Sequence, residues 1–122
     1  PLIAPVEGKI ISQYNQNRGS QNNNGIDYET SVGSPVKAVF IGTVVLISDI
    51  VGGNGKIVLI RHEDELITIY GRLTNIVIEK GQKVIQGQKI GEVIKDSQTN
   101  KGIMHFEVRK GMKSIDPETM IR

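Results

Sequence analysis

The chain has 122 residues and a formal net charge of +2, with acidic and basic residues interspersed rather than gathered into runs. That length suits one domain around one core. The absence of Cys excludes disulfides and thiolate metal sites, and no Trp, two Phe and three Tyr leave few rings for stacking on bases or sugars, so nucleic acid is not an expected partner. Nineteen Ile and 12 Val stand against five Leu and two Ala, a β-branched bias that points to an all-β fold. No apolar run is long enough to span a membrane and no signal peptide is evident, so any membrane association rests on segments outside this chain. The first residue is Pro1 rather than Met, and residues 1–122 read as a single domain excised from a longer protein.

In chain order, strands are predicted at Val6–Tyr14, Ile26–Glu29, Val36–Phe40, Thr43–Ile50, Lys56–His62, Leu66–Tyr70, Ile76–Ile78, Ile90–Val93 and Met104–Arg109. The polar tract "NQNRGSQNNN" (15–24) between the first two reads as a flexible surface loop. "GGNG" (52–55) and "HEDE" (62–65) are turn signals that frame a hairpin, and its near-continuous apolar runs "IVLI" and "LITI" predict cover on both faces. "GSPVKAVFIGTV" (33–44) and "GQKVIQGQKIGEV" (81–93) echo one another, each with a glycine turn before a short strand. Biotinyl and lipoyl carriers use such segments, but their lysine-bearing tips are missing here. Pro117 opens one helical turn near the end.

In "KGIMHFEVR" (101–109), alternation places Met104, Phe106 and Val108 on a core face and Ile103, His105, Glu107 and Arg109 on the other. An imidazole on that outer face can be a metal ligand, a base or a surface residue. His62, beside an acidic turn, reads as structural or surface.

The series "GIDYETSVGSPVKAVFIGTVV", "GGNGKIVLIRHEDELITIYGRL", "IEKGQKVIQGQKIGEV", "MHFEVRKG" and "IDPE" resembles, in order and spacing, the LytM-type (lysostaphin-like) zinc peptidase domain. The resemblance implies a compact antiparallel β fold of the duplicated-hybrid-motif type, with a long surface groove. Active members of that family cut peptide cross-links in bacterial peptidoglycan. Carried over residue by residue, the zinc-ligand positions fall at Asn23, Asp27 and His105, and the catalytic histidines at Arg72 and Ile103. Two of these five positions keep the family's residue.

A catalytic zinc site takes three protein ligands and one open position. Asn23 offers only a neutral amide oxygen in place of imidazole nitrogen. Arg72 stays protonated and Ile103 has no exchangeable proton, so acid–base catalysis is lost with the metal. The expectation is a pseudoenzyme without cofactor or metal, with Arg72 replacing the cation by pairing with Asp27. The resemblance further implies a place in the bacterial cell envelope, periplasmic or extracytoplasmic. It also implies the role of degenerate LytM domains: activating a cell-wall amidase during cell division by docking it in the former active-site groove, with peptidoglycan as a further ligand. The alternatives are a structural interaction domain of a transenvelope complex and a residual zinc endopeptidase.

Overall fold

A computed structural model describes all of residues 1–122. Twelve strands form: β1 Lys9–Ser12, β2 Asn17–Arg18, β3 Gln21–Asn22, β4 Ile26–Thr30, β5 Pro35–Lys37, β6 Gly42–Asp49, β7 Lys56–Arg61, β8 Leu66–Thr74, β9 Lys83–Val84, β10 Lys89–Val93, β11 Gly102–Lys110 and β12 Lys113–Ile115. Every pairing between them is antiparallel. The all-β expectation holds. The main sheet runs β1-β4-β11-β8-β7-β6-β9, with β10 joining β5 to β8 and β12 on β11. One 3-10 turn, Pro117–Thr119, stands where the helical turn is predicted; Asp116 caps it by accepting from the Glu118 amide at 3.0 Å.

The strong β-branched runs become the long central strands. Tyr70, Phe106, Ile26, Ile60 and Leu73 are fully buried, with Met104, Val58 and Val108 among them. Burial along β11 alternates without a break from Gly102 to Val108, as a two-residue period requires. The hairpin β7–β8 is central, but only the middle of β8, Thr68–Gly71, is buried on both faces. On β7, Val58 and Ile60 are buried while Ile57 and Leu59 are half-covered, so the expected double cover fails there. The "IVLI" run is apolar on both faces, yet only one of them meets the core.

Two further expectations need correction. Ile76–Ile78 is not a strand: Val77 donates a single backbone bond to Ile90, and Ile78 enters the core from irregular backbone. The tract 15–24 is not a featureless loop. Its residues fold into the hairpin β2–β3, a separate two-stranded sheet. The two echoing segments lie antiparallel along each other. β5 pairs β10, β6 pairs β9, and exchanges at Gly33–Val93 (2.8 Å), Gly87–Ala38 (2.8 Å) and Gly81–Val44 (2.7 Å) tie the glycine turns to the opposite copy.

His62 is buried and structural. Its Nδ1–H donates to the Ile41 carbonyl at 2.7 Å, so Nε2 accepts from the Thr68 hydroxyl at 2.8 Å. Thr68 in turn accepts from the Tyr70 hydroxyl at 2.7 Å, and Tyr70 accepts from the Val39 amide at 3.2 Å. This chain satisfies the polar atoms that β8 carries into the core, and it fits only a neutral His62. Burial, partly opposed by the bond to Ile41, holds the His62 pKa below its ordinary value. Thr68→Val cuts the chain in the middle and strands two buried groups. It is expected to cost about 1–3 kcal/mol in urea unfolding, and Thr68→Ser, which keeps the hydroxyl, is expected to cost less.

Candidate functional site

The site face is made by β4, β11 and β8. His105 lies directly opposite Asp27 on β4 and Gly71 on β8, and Ile103 lies opposite Glu29. Residues opposed across an antiparallel pair share a face, so the register of the core brings Asp27 and His105 together. The core partners one step away, Phe106 with Ile26 and Met104 with Tyr28, hold that register. A Cβ built on Gly71 would stand 3.5 Å from the His105 Cβ, an ordinary van der Waals contact, so the two strands pack closely at this row.

His105 Nδ1 meets Asp27 Oδ1 at 2.6 Å and Nε2 meets Glu107 Oε2 at 2.7 Å. The second oxygen of Asp27 accepts from the Arg18 guanidinium. The second oxygen of Glu107 accepts from Arg109 at 3.0 and 3.2 Å. Five side chains thus alternate in sign along the face: Arg18, Asp27, His105, Glu107, Arg109. Burial by itself would lower the His105 pKa, but its bonds to Asp27 and Glu107 and their charges outweigh it and raise it to about 9. Burial would raise Glu107, but the bonds and charges of His105 and Arg109 hold it below the ordinary carboxylate range. At neutral pH the ring is therefore a cation with both nitrogens donating, which is no general base.

The other expected site residues lie elsewhere in the hydrogen-bond network. Asn23 is buried, its amide donating to Ser12 Oγ at 2.9 Å and its oxygen accepting from the Gly25 amide at 3.0 Å. It serves the turn into β4. Arg72 does not pair with Asp27. Lys56 opposes Leu73 and Val58 opposes Tyr70, so Ile57 faces two residues, Gly71 and Arg72, in a β-bulge. Arg72 takes φ +68 there, and its guanidinium turns to Asp96, 3.2 Å away. Asp96 also accepts from the Thr99 amide at 3.0 Å and its hydroxyl at 2.9 Å, within the segment "KDSQTNKG". Ile103 is half-buried on the site face.

The side chains present do not fit a zinc ion. Both imidazole nitrogens are bonded to carboxylates, a guanidinium holds the outer oxygen of Asp27, and the Asn23 amide is spent on Ser12 and Gly25. No group of three or more His, Cys, Asp or Glu side chains converges on a position for an ion. Two open depressions, of about 320 and 510 Å³, lie away from His105, one lined by Ile3, Val6 and Lys37 and the other by Ile41, Arg61 and Ile85. Glu107 and Arg109 were visible to sequence reading through their spacing from His105. Arg18 was visible only as the single cation in a polar tract.

The antiparallel β architecture with Asp27 facing His105 is that of a LytM-type, lysostaphin-like domain. The chain belongs to peptidase family M23, whose profile matches residues 21–117. It is 35% identical over 113 residues to a Pseudomonas aeruginosa protein described as a lipoprotein NlpD/LppB homolog, covering 93% of this chain and 37% of that one. It is 32% identical over 113 residues to the Escherichia coli murein hydrolase activator NlpD, covering 93% and 29%. The chain thus spans about a third of the length of these curated relatives. Among solved structures, Helicobacter pylori Csd3 superposes with a TM-score of 0.83 at 30% identity, over 99% of this chain and 34% of that one. Lysostaphin gives 0.82 at 21% identity, over 96% and 52%, a likeness of fold.

Two outcomes follow from the charge pattern. A raised folded-state pKa stabilises fully below the unfolded value, 6.5 for His105, and the gain disappears as pH rises through about 9. On the order of 2–3 kcal/mol is expected to be lost across that window, and the slope should be missing in His105→Asn; unfolding by urea at pH 6, 7.5 and 9 measures it. Calorimetric titration with zinc at neutral pH is expected to show no stoichiometric site, and a chelator should leave the melting temperature in place. One sub-micromolar site would contradict the donor chemistry described above.

Proposed function

We propose that this domain regulates peptidoglycan remodelling in the bacterial cell envelope without cutting peptidoglycan itself. In this reading it activates a cell-wall amidase by docking it on the face around His105, and that face is the counterpart of the family's active-site groove. The observation that carries the reading is the state of the catalytic positions. Arg72 is turned away to Asp96, Ile103 has no proton to exchange, and His105 is held as a cation between two carboxylates. Metal-assisted hydrolysis needs a bound water and a group to move its proton. Neither is provided by these side chains.

The relatives support the assignment to the envelope: one is described as a lipoprotein and another as a murein hydrolase activator. A face with fixed charges and a covered core beneath it is suited to recognition, because little has to be ordered on binding. Asn23, Asp27, Arg72, Ile103 and His105 mark the former metal and catalytic positions, and the docking face includes the last of these with Asp27.

The test uses dye-labelled peptidoglycan and a purified amidase from the same envelope. Domain alone is expected to release no dye, and amidase with domain is expected to release it several times faster than amidase alone. Release by the domain alone, or no change in amidase rate at saturating domain, would overturn the proposal.

A further inference from the structure

The geometry points to Arg18 as the resident cation of this site, a guanidinium carried in by the β2–β3 hairpin that takes the outer oxygen of Asp27 and thereby fixes the hairpin to the main sheet. Asp27 has a side chain only 6% exposed, in contact with Arg18 and His105. A carboxylate buried to that degree needs a counter-charge and a hydrogen-bond donor for each oxygen, or it destabilises the fold. His105 answers Oδ1, and Arg18 answers Oδ2. The same arrangement leaves no free carboxylate oxygen there for a divalent ion, which would also face a permanent positive charge.

The hairpin has little else to hold it. Residues 15–22 are all exposed, and their strands pair only with each other. Its base is closed by the Asn15 amide donating to the Asn23 carbonyl at 2.7 Å and the Asn23 amide donating to the Gln16 carbonyl at 2.9 Å. Gly19 at φ +77 allows the tight reversal, and its amide donates to Asn17 Oδ1 at 2.9 Å. These bonds are internal to the hairpin and its base. A two-stranded ribbon of this size is marginal in water without outside anchorage. At the base the buried Asn23 side chain also bonds Ser12 of β1 at 2.9 Å; beyond the base, the side-chain bond from β2–β3 to the main sheet is the Arg18–Asp27 pair. Arg18 is therefore a positioning residue: it settles where the ribbon lies relative to Asp27 and His105, whichever partner the domain docks.

Amide hydrogen exchange at Asn15 and Asn23 reads the ribbon's attachment directly. Arg18→Gln and Asp27→Asn are each expected to speed exchange there at least tenfold, and the double variant is expected to be no faster than the faster single. In Arg18→Gln the amides of β8 and β11 are expected to be accelerated much less than those of Asn15 and Asn23, because the loss at the ribbon is local. Unchanged exchange at Asn15 and Asn23 in Arg18→Gln, or effects of the two substitutions that multiply, would overturn the assignment. If Asp27→Asn does not fold, Arg18→Lys decides. Exchange slower than in Arg18→Gln supports the charge pairing, and exchange equally fast overturns it. Amidase stimulation measured on the same Arg18→Gln protein is a separate readout, so loss of one conclusion leaves the other standing.

Discussion

Strand β11 is bonded on both sides, to β4 and to β8, and the two-residue period of its side chains ties core and site together. Met104, Phe106 and Val108 are buried without exposure, and their packing fixes the register in which His105 meets Asp27. A slip of one residue would send the apolar set outward and the charged set into the core. The chemistry of the outer face is therefore held in place by the hydrophobic effect on the inner one. Gly71 on β8 is the third member of that row, directly opposite His105.

On that outer face the governing constraint is electrostatic. A lone partly buried ion is costly, and the fold meets the cost by alternation: each carboxylate has a cation on either side, and the imidazole has a carboxylate on either side. The pattern needs His105 protonated, which the two carboxylates bring about by lifting its pKa to about 9. The same protonation removes the lone pairs a metal would use. Structural satisfaction and metal-binding capacity are opposed in this row of side chains.

The bulge at Gly71–Arg72 shows how little backbone is needed to change a residue's role. One extra residue opposite Ile57 lets Tyr70 and Leu73 both face the core, and it leaves Arg72 in a left-handed conformation. Its guanidinium then organises the 96–99 turn through Asp96 rather than the row that contains His105. The pairing expected from sequence, Arg72 with Asp27, had the right chemistry and the wrong arginine.

The sequence by itself determined the class of fold, because Ile and Val in alternating and continuous runs have few stable arrangements other than a packed sheet. It determined which residues of "MHFEVR" face inward, since strand period is a local property, and it carried the family motifs that single out Asp27 and His105. It also determined that positions 72 and 103 hold no catalytic histidine. The tertiary structure decided which cation meets which carboxylate. Arg18 reaches Asp27 because a hairpin of exposed polar residues folds back over β4, and Arg72 reaches Asp96 because a bulge reverses its φ. Such directions depend on hydrogen bonds to strands far away in the chain. Spacing along a sequence encodes the face of a strand, but it does not encode where a bulge or a ribbon will aim a long side chain.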